Sequence, residues 1–322
     1  MLPPILMRPA WRHGSATPWG GERLRALYGK EAPGERAGES LELSAIPGLE
    51  SRDEQGRPLS DLIALYGSRL LGTAVGEPFP LLIKLIDARE RLSVQVHPGD
   101  AYAKARHSKL GKNEAWVILD AQPGARLIMG LKDNVGVKEL EAAAGTGAGL
   151  GGLLREVAVR PGEAYYIPAG TVHAIGGGIL LYEVQQSSDI TYRLHDWGRV
   201  DARGQGRALH LKDSLAVTQP DQRPRASQPE ALMRDETGSW ERLLDTPYFQ
   251  LDRLSRCQNL LLPPDHTRFR ALTALGPLTL TWPSGELILP AAQTTLLPAC
   301  GQGLSLWGGP ALLAVPAGTA GR

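Results

Sequence analysis

The chain has 322 residues, 42% hydrophobic and 21% charged, with a formal net charge of +1. This is the balance of a soluble globular protein with room for one large domain or two ordinary ones, and its interspersed charges give no footprint for nucleic acid or an anionic membrane. No apolar run approaches the roughly 20 residues that span a bilayer, and the opening MLPPILMRPAWRHG has too short an apolar core for a secretory signal, so a cytoplasmic location is expected.

With 38 glycines and 25 prolines, turns are frequent and periodic segments short, which favours a mainly β fold. Residues 1–50 read as turns and short strands, TPWGGERL and GESLELSAIPG among them. LSDLIALYGSRLLG (59–72) predicts a helix with Ser60 as N-cap and Leu62, Leu65, Tyr66 and Leu70 at helical spacing. FPLLIKLIDA predicts a strand centred on Lys84, which is either buried polar lining or an edge residue whose head reaches water. In RLSVQVHP, Leu92, Val94 and Val96 alternate with Ser93, Gln95 and His97. One face of that strand is aliphatic, and the other carries a hydroxyl, an amide and an imidazole. GKNEAWVIL repeats the pattern, with Lys112, Glu114 and Trp116 opposite Ala115, Val117 and Leu119. An ammonium and a carboxylate among apolar neighbours are costly unless paired or metal-bound.

RLIMGLK predicts a strand, VGVKELEAAAG a short helix, and GTGAGLGGLL a glycine-rich connection. Strands resume with REVAVRPGEAYYIPAG, where Gly162, Pro168 and Gly170 set turns ahead of His173. In ILLYEVQQSSDITYRLHDW, Glu183 shares a face with Leu181 and Gln185, and Arg193 one with Thr191 and His195. A hairpin through SSD would let Glu183 and Arg193 face each other. They are then either a structural ion pair or a proton-moving carboxylate beside a guanidinium that binds phosphate or an oxyanion. Residues 218–240 are polar and proline-bearing and read as a linker or surface excursion. From 241 to 322 a second set of short strands predicts a smaller sandwich or barrel, expected to be metal-free because His266 is its one histidine. Cys257 and Cys300 form no recognisable framework.

Three separate segments thus each place ligand-type groups on a polar face: Gln95 with His97, Glu114, and His173. One amide oxygen, one carboxylate and two imidazoles suit zinc, iron or manganese and leave positions open to water or substrate. A closed structural zinc site would rather use thiolates.

GEAYYIPAGTVHAIGG (162–177) resembles the second cupin motif, and LSVQVHPGDAYA, GKNEAWVIL, GTVHAIGGGILLYEVQQSSDITYRLHDWGR, the early WGG and GESLELS resemble the type I mannose-6-phosphate isomerase family in its short bacterial form. The resemblance covers most of residues 8–215 and is loose beyond about 220. It implies a catalytic cupin, a jelly-roll β-barrel with helical insertions over 1–217, followed by a smaller β-domain over 241–322. It implies one zinc per chain on Gln95, His97, Glu114 and His173. It places active-site Ser, Lys, Glu and Arg at Ser93, Lys112, Glu183 and Arg193. The implied reaction interconverts mannose 6-phosphate and fructose 6-phosphate through an enediolate. Glu183, Lys112 or a metal-bound water would carry the proton, with Glu183 the first candidate; Lys112 and Arg193 would add positive charge, and Ser93, Arg193 and Lys84 are candidates for the phosphate. Leu41, Gly99 and Asn113 depart from the family's usual residues without removing a ligand or catalytic group.

Two rival functions share the scaffold. An iron-dependent dioxygenase would often use three or four histidines and has no need of this cationic shell. A non-catalytic sugar-phosphate sensor needs phosphate donors but no proton carrier, so Lys112, Glu183 and Arg193 together favour the isomerase. The expected partner is a small sugar phosphate, and the sequence carries no reading of the oligomeric state.

Overall fold

The structure is a computed structural model that describes residues 1–318 except 77, 148 and 202. It is mainly β, as expected. A first strand, β1 (Ile5–Met7), runs against Thr294–Leu297 at the far end of the chain. The next eleven strands form two facing sheets. One has six strands in the order β2 (Ala10–His13), β3 (Ala37–Leu43), β4 (Leu81–Ala88), β11 (Ile179–Gln186), β6 (Glu114–Ala121) and β9 (Ala164–Ile167). The other has five, ordered β12 (Tyr192–His195), β5 (Val94–Val96), β10 (His173–Ile175), β7 (Arg126–Leu131) and β8 (Leu154–Ala158).

All eight residues of β4 and all eight of β11 are buried, because both faces of this sheet are covered. Ile86, Trp116, Ile118, Ile179 and Leu181 point into the barrel, where they meet Leu127, Met129 and Ile175 from the five-stranded sheet. Leu85, Ala115, Val117, Tyr182 and Val184 point outward and pack against Phe249, Leu251, Phe269, Ala271 and Leu312 from the second half of the chain. That half is itself two sheets, one of seven strands that includes β1 and one of four, with an aliphatic core between them. Its strand-rich character matches the expectation for 241–322.

Three local expectations need correction. The polar stretch 218–240 is not linker throughout, since Glu230–Asp235 and Gly238–Asp245 form a hairpin at the edge of the seven-stranded sheet. The helix near residue 60 runs Leu59–Tyr66 and starts on extended Pro58, so Ser60 lies inside its first turn and caps nothing. Gly67 then breaks it before a second turn at Ser68–Leu71; Leu59, Leu62 and Leu70 are buried, while Leu65 faces solvent at 61% exposure. Two further helices, Asp100–His107 and Leu211–Val217, lie in stretches whose apolar spacing is too sparse to signal them. No helix among the described residues is long and apolar enough to cross a membrane.

Candidate metal centre and substrate cavity

Strand register brings the polar residues together. Glu183 pairs directly with Lys84 on one side and with Trp116 on the other, and two residues along, Gln185 pairs with Glu114. Residues two apart on a strand share a face, so these rows point the same way, into the barrel. In the facing sheet Gln95 lies between Arg193 and His173. His173 follows a tight turn at Gly170, whose φ of +92° and crowding against Gln219 and Val217 leave no room for a side chain.

His97, Glu114 and His173 meet inside the barrel with their ligand-type atoms all within 4.8 Å of one another, and all three are buried. Nδ1 of His173 lies 2.9 Å from the Thr171 carbonyl. A proton there leaves Nε2 as a bare lone pair, which faces Oε1 of Glu114 at 3.2 Å. Neither of those two atoms has a hydrogen-bond partner among the described residues. Two buried lone pairs in contact are unfavourable unless a proton or a metal cation lies between them. The ammonium of Lys112 already touches the same cluster, 2.9 Å from Nε2 of His97 and in contact with Oε2 of Glu114. The donor set therefore fits a divalent transition metal, with two neutral imidazoles and one carboxylate. Burial, with Lys112 acting in the same sense, pushes both imidazoles below their usual range, His173 to about 4. Both rings are thus neutral at pH 7, the form that binds a metal. Burial raises the Glu114 carboxyl, against the pull of Lys112.

In front of this cluster opens a cavity of about 280 Å³ whose wall includes Ser93, Gln95, Lys112, Lys84, Glu183 and Arg193. Every sequence-predicted residue outside the His–Glu–His cluster is therefore on it. Lys84 is no edge residue: it is 6% exposed in a central strand, with Nζ 3.0 Å from Oε1 of Glu183 and 3.9 Å from Glu39. Glu183 also accepts a 2.8 Å hydrogen bond from Nε1 of Trp116. Burial opposes its ionisation, but Lys84 and Lys112 outweigh that and hold its carboxyl below the usual range.

Glu183 and Arg193 do not face each other across a hairpin. β11 and β12 belong to different sheets, and Arg193 turns to the Ala208 carbonyl, 2.9 Å from Nη1. The two reach one cavity from opposite sheets rather than as an ion pair. The wall also carries Arg12, Glu39, Asp189, Arg207 and His210, which sequence reasoning did not single out. Arg207 and His210 sit in GQGRALH, a coil with no periodicity, so only their residue types could have drawn notice.

Residues 14–116 match the family model described as phosphomannose isomerase type I, catalytic domain. Over 219 residues the chain is 42% identical to the mannose-6-phosphate isomerase ManA of Bacillus subtilis, a match covering 66% of this chain and 67% of that protein. The chain belongs to the type I phosphomannose isomerase family. A mannose-6-phosphate isomerase of Streptococcus mutans is 41% identical over 205 residues, and the match spans 62% of this chain and 63% of that relative's length. Among solved phosphomannose isomerases, the mannose 6-phosphate isomerase from Bacillus subtilis superposes with a TM-score of 0.89 at 29% identity, covering 98% of this chain and 99% of the other. A putative mannosephosphate isomerase from Archaeoglobus fulgidus shares the fold, with a TM-score of 0.76 at 20% identity and coverage of 99% and 100%.

Proposed function

We propose that the protein interconverts mannose 6-phosphate and fructose 6-phosphate, with one zinc held by Gln95, His97, Glu114 and His173. The observation that carries this reading is the placing of Lys112, which touches both the ligand cluster and the cavity that Glu183 lines. A zinc bound there would supply Lewis acidity toward substrate oxygens.

The remaining chemistry falls to the chain's own groups. Glu183 is ionised and buried, so it can take the proton from C2 of the aldose and return it to C1 while the O2 hydroxyl proton passes to O1, giving the ketose. Lys84 and Trp116 hold that carboxylate at two points, which fixes its aim. Because Lys84 is engaged by Glu183 and Glu39, it acts by positioning Glu183 rather than by binding phosphate. Lys112 places its positive charge beside the enediolate oxygens as they develop. Ser93 offers a hydroxyl to the sugar, and Arg193 a guanidinium. The second half of the chain is given a structural role, covering the outer face of the catalytic sheet.

A coupled assay on mannose 6-phosphate, with metal analysis of the same preparation, tests the reading. Turnover that tracks zinc content is expected. Tight sugar-phosphate binding without turnover would replace the enzyme with a sensor.

A further inference from the structure

Behind the metal cluster lies a second polar network. Lys112 and Glu114 point into the barrel, so Asn113 between them turns to the other side, where it is 3% exposed. Its Oδ1 accepts two hydrogen bonds, from the backbone N–H of Ala169 at 2.9 Å and the hydroxyl of Tyr166 at 3.1 Å. Its Nδ2 and its backbone N–H both donate to Oε1 of Gln186, at 2.8 and 3.0 Å, and its carbonyl accepts the Gln186 N–H at 3.0 Å. Gln186 donates in turn from Nε2 to Oδ1 of Asp100 at 2.9 Å, where the N–H of Gly111 also lands at 2.8 Å.

These contacts join the three segments that carry the cluster. Asp100 lies just past His97, Asn113 just before Glu114, and Ala169 opens the turn that leads to His173. That turn is used residue by residue. Ala169 gives its N–H to Asn113, Gly170 gives its own to the His97 carbonyl at 2.8 Å, and the carbonyl of Thr171 meets Nδ1 of His173. The N–H of Lys112 closes the circuit on the Pro98 carbonyl at 3.0 Å.

We infer that Asn113 is a positioning residue for the metal centre, holding the His97, Glu114 and His173 segments at the separation that a single ion needs. Groups behind the ligands fix the aim of a metal site and so its affinity. An amide suits this task because its acceptor and its donor stand on different atoms, whereas a hydroxyl has one oxygen for both. The inference rests on the proposed metal site, and measuring wild type and variants side by side separates the two.

Zinc affinity of the full-length protein, measured by competition with a chromophoric chelator, tests it. Asn113→Ala should bind zinc about tenfold more weakly or worse. Gln186→Met, which cuts the same network one residue further out, should shift the affinity in the same direction. Trp240→Phe is the control: it loses a 2.8 Å hydrogen bond to buried Asp252 in the second half of the chain. It should lower the melting temperature of the metal-free protein without changing zinc affinity. With cobalt in place of zinc, Asn113→Ala should also alter the visible absorption bands that report ligand geometry, a signature that a merely structural role would not give. Wild-type zinc affinity in folded Asn113→Ala overturns the inference, and so does an equal loss in Trp240→Phe. Should Asn113→Ala fail to fold, unchanged affinity in Gln186→Met overturns it instead. A wild type that binds no zinc removes the metal site itself, and the inference with it.

Discussion

Lys84 Nζ lies 3.0 Å from Glu183 Oε1, and the two residues are direct partners across β4 and β11, both nearly inaccessible to water. Burial raises the pKa of that carboxyl, and the Lys84 ammonium is the largest of the groups that pull it back down, with Lys112 acting in the same sense. Lys84→Met should therefore raise the Glu183 pKa. With Glu183 as the proposed proton carrier, activity needs the ionised form, so the acid limb of the pH–rate profile should move upward by about one unit or more. An acid limb in the same place would show that another cation holds Glu183.

Glu183→Gln keeps the shape and the Trp116 contact but removes the proposed base. Turnover should fall by roughly 10²-fold or more while metal content and substrate affinity hold. Exchange of the substrate C2 proton with solvent is the direct check. Exchange at the wild-type rate in the variant would pass the role to Lys112.

His173→Ala removes the bare Nε2 that faces Glu114. The variant should bind well under one equivalent of zinc and lose activity, while its circular dichroism stays β-like. Metal-loaded wild type should also melt higher than the chelated protein, because a ligand of the folded state alone stabilises it by mass action. Full zinc occupancy in a His97→Ala, His173→Ala double variant would remove the ligand assignment.

Asp196 is buried and bound by Arg207 and Arg199, and although burial works the other way these hold its carboxyl below its usual value. A depressed pKa contributes stability that is fully present above the unfolded value near 3.8 and is lost as pH falls through the folded one. Asp196→Asn should thus lower the denaturation midpoint at pH 7, and the difference from wild type should shrink below about pH 4. A difference that is constant with pH would contradict this.

Much of the site was legible because strand alternation is a short-range rule. Once Gln95, His97 and Glu114 were placed on polar faces, burial of the opposite faces did the rest. Pairing between distant strands is not short-range. Glu183 and Arg193 are close in sequence, yet their strands part into different sheets, and the carboxylate's true partner, Lys84, lies about a hundred positions upstream. The two hydrophobic faces of β4 and β11 likewise gave no hint of which was covered by the second half of the chain. Arg207 and His210 lie in coil, where no period announces which way a side chain turns.

The outward face of the catalytic sheet carries one further consequence. Leu85, Ala115, Tyr182 and Val184 have the second half of the chain as their cover, and β1 is stitched into that half's sheet. The barrel is therefore not a module that can be excised. A chain ended near residue 217 would keep every residue that lines the cavity yet expose the reverse side of the cavity's own floor, an adhesive apolar surface prone to self-association. Engineering aimed at the sugar would in effect have two halves to respect, since a change of volume on the far side of β11 pushes on the strand that carries Glu183.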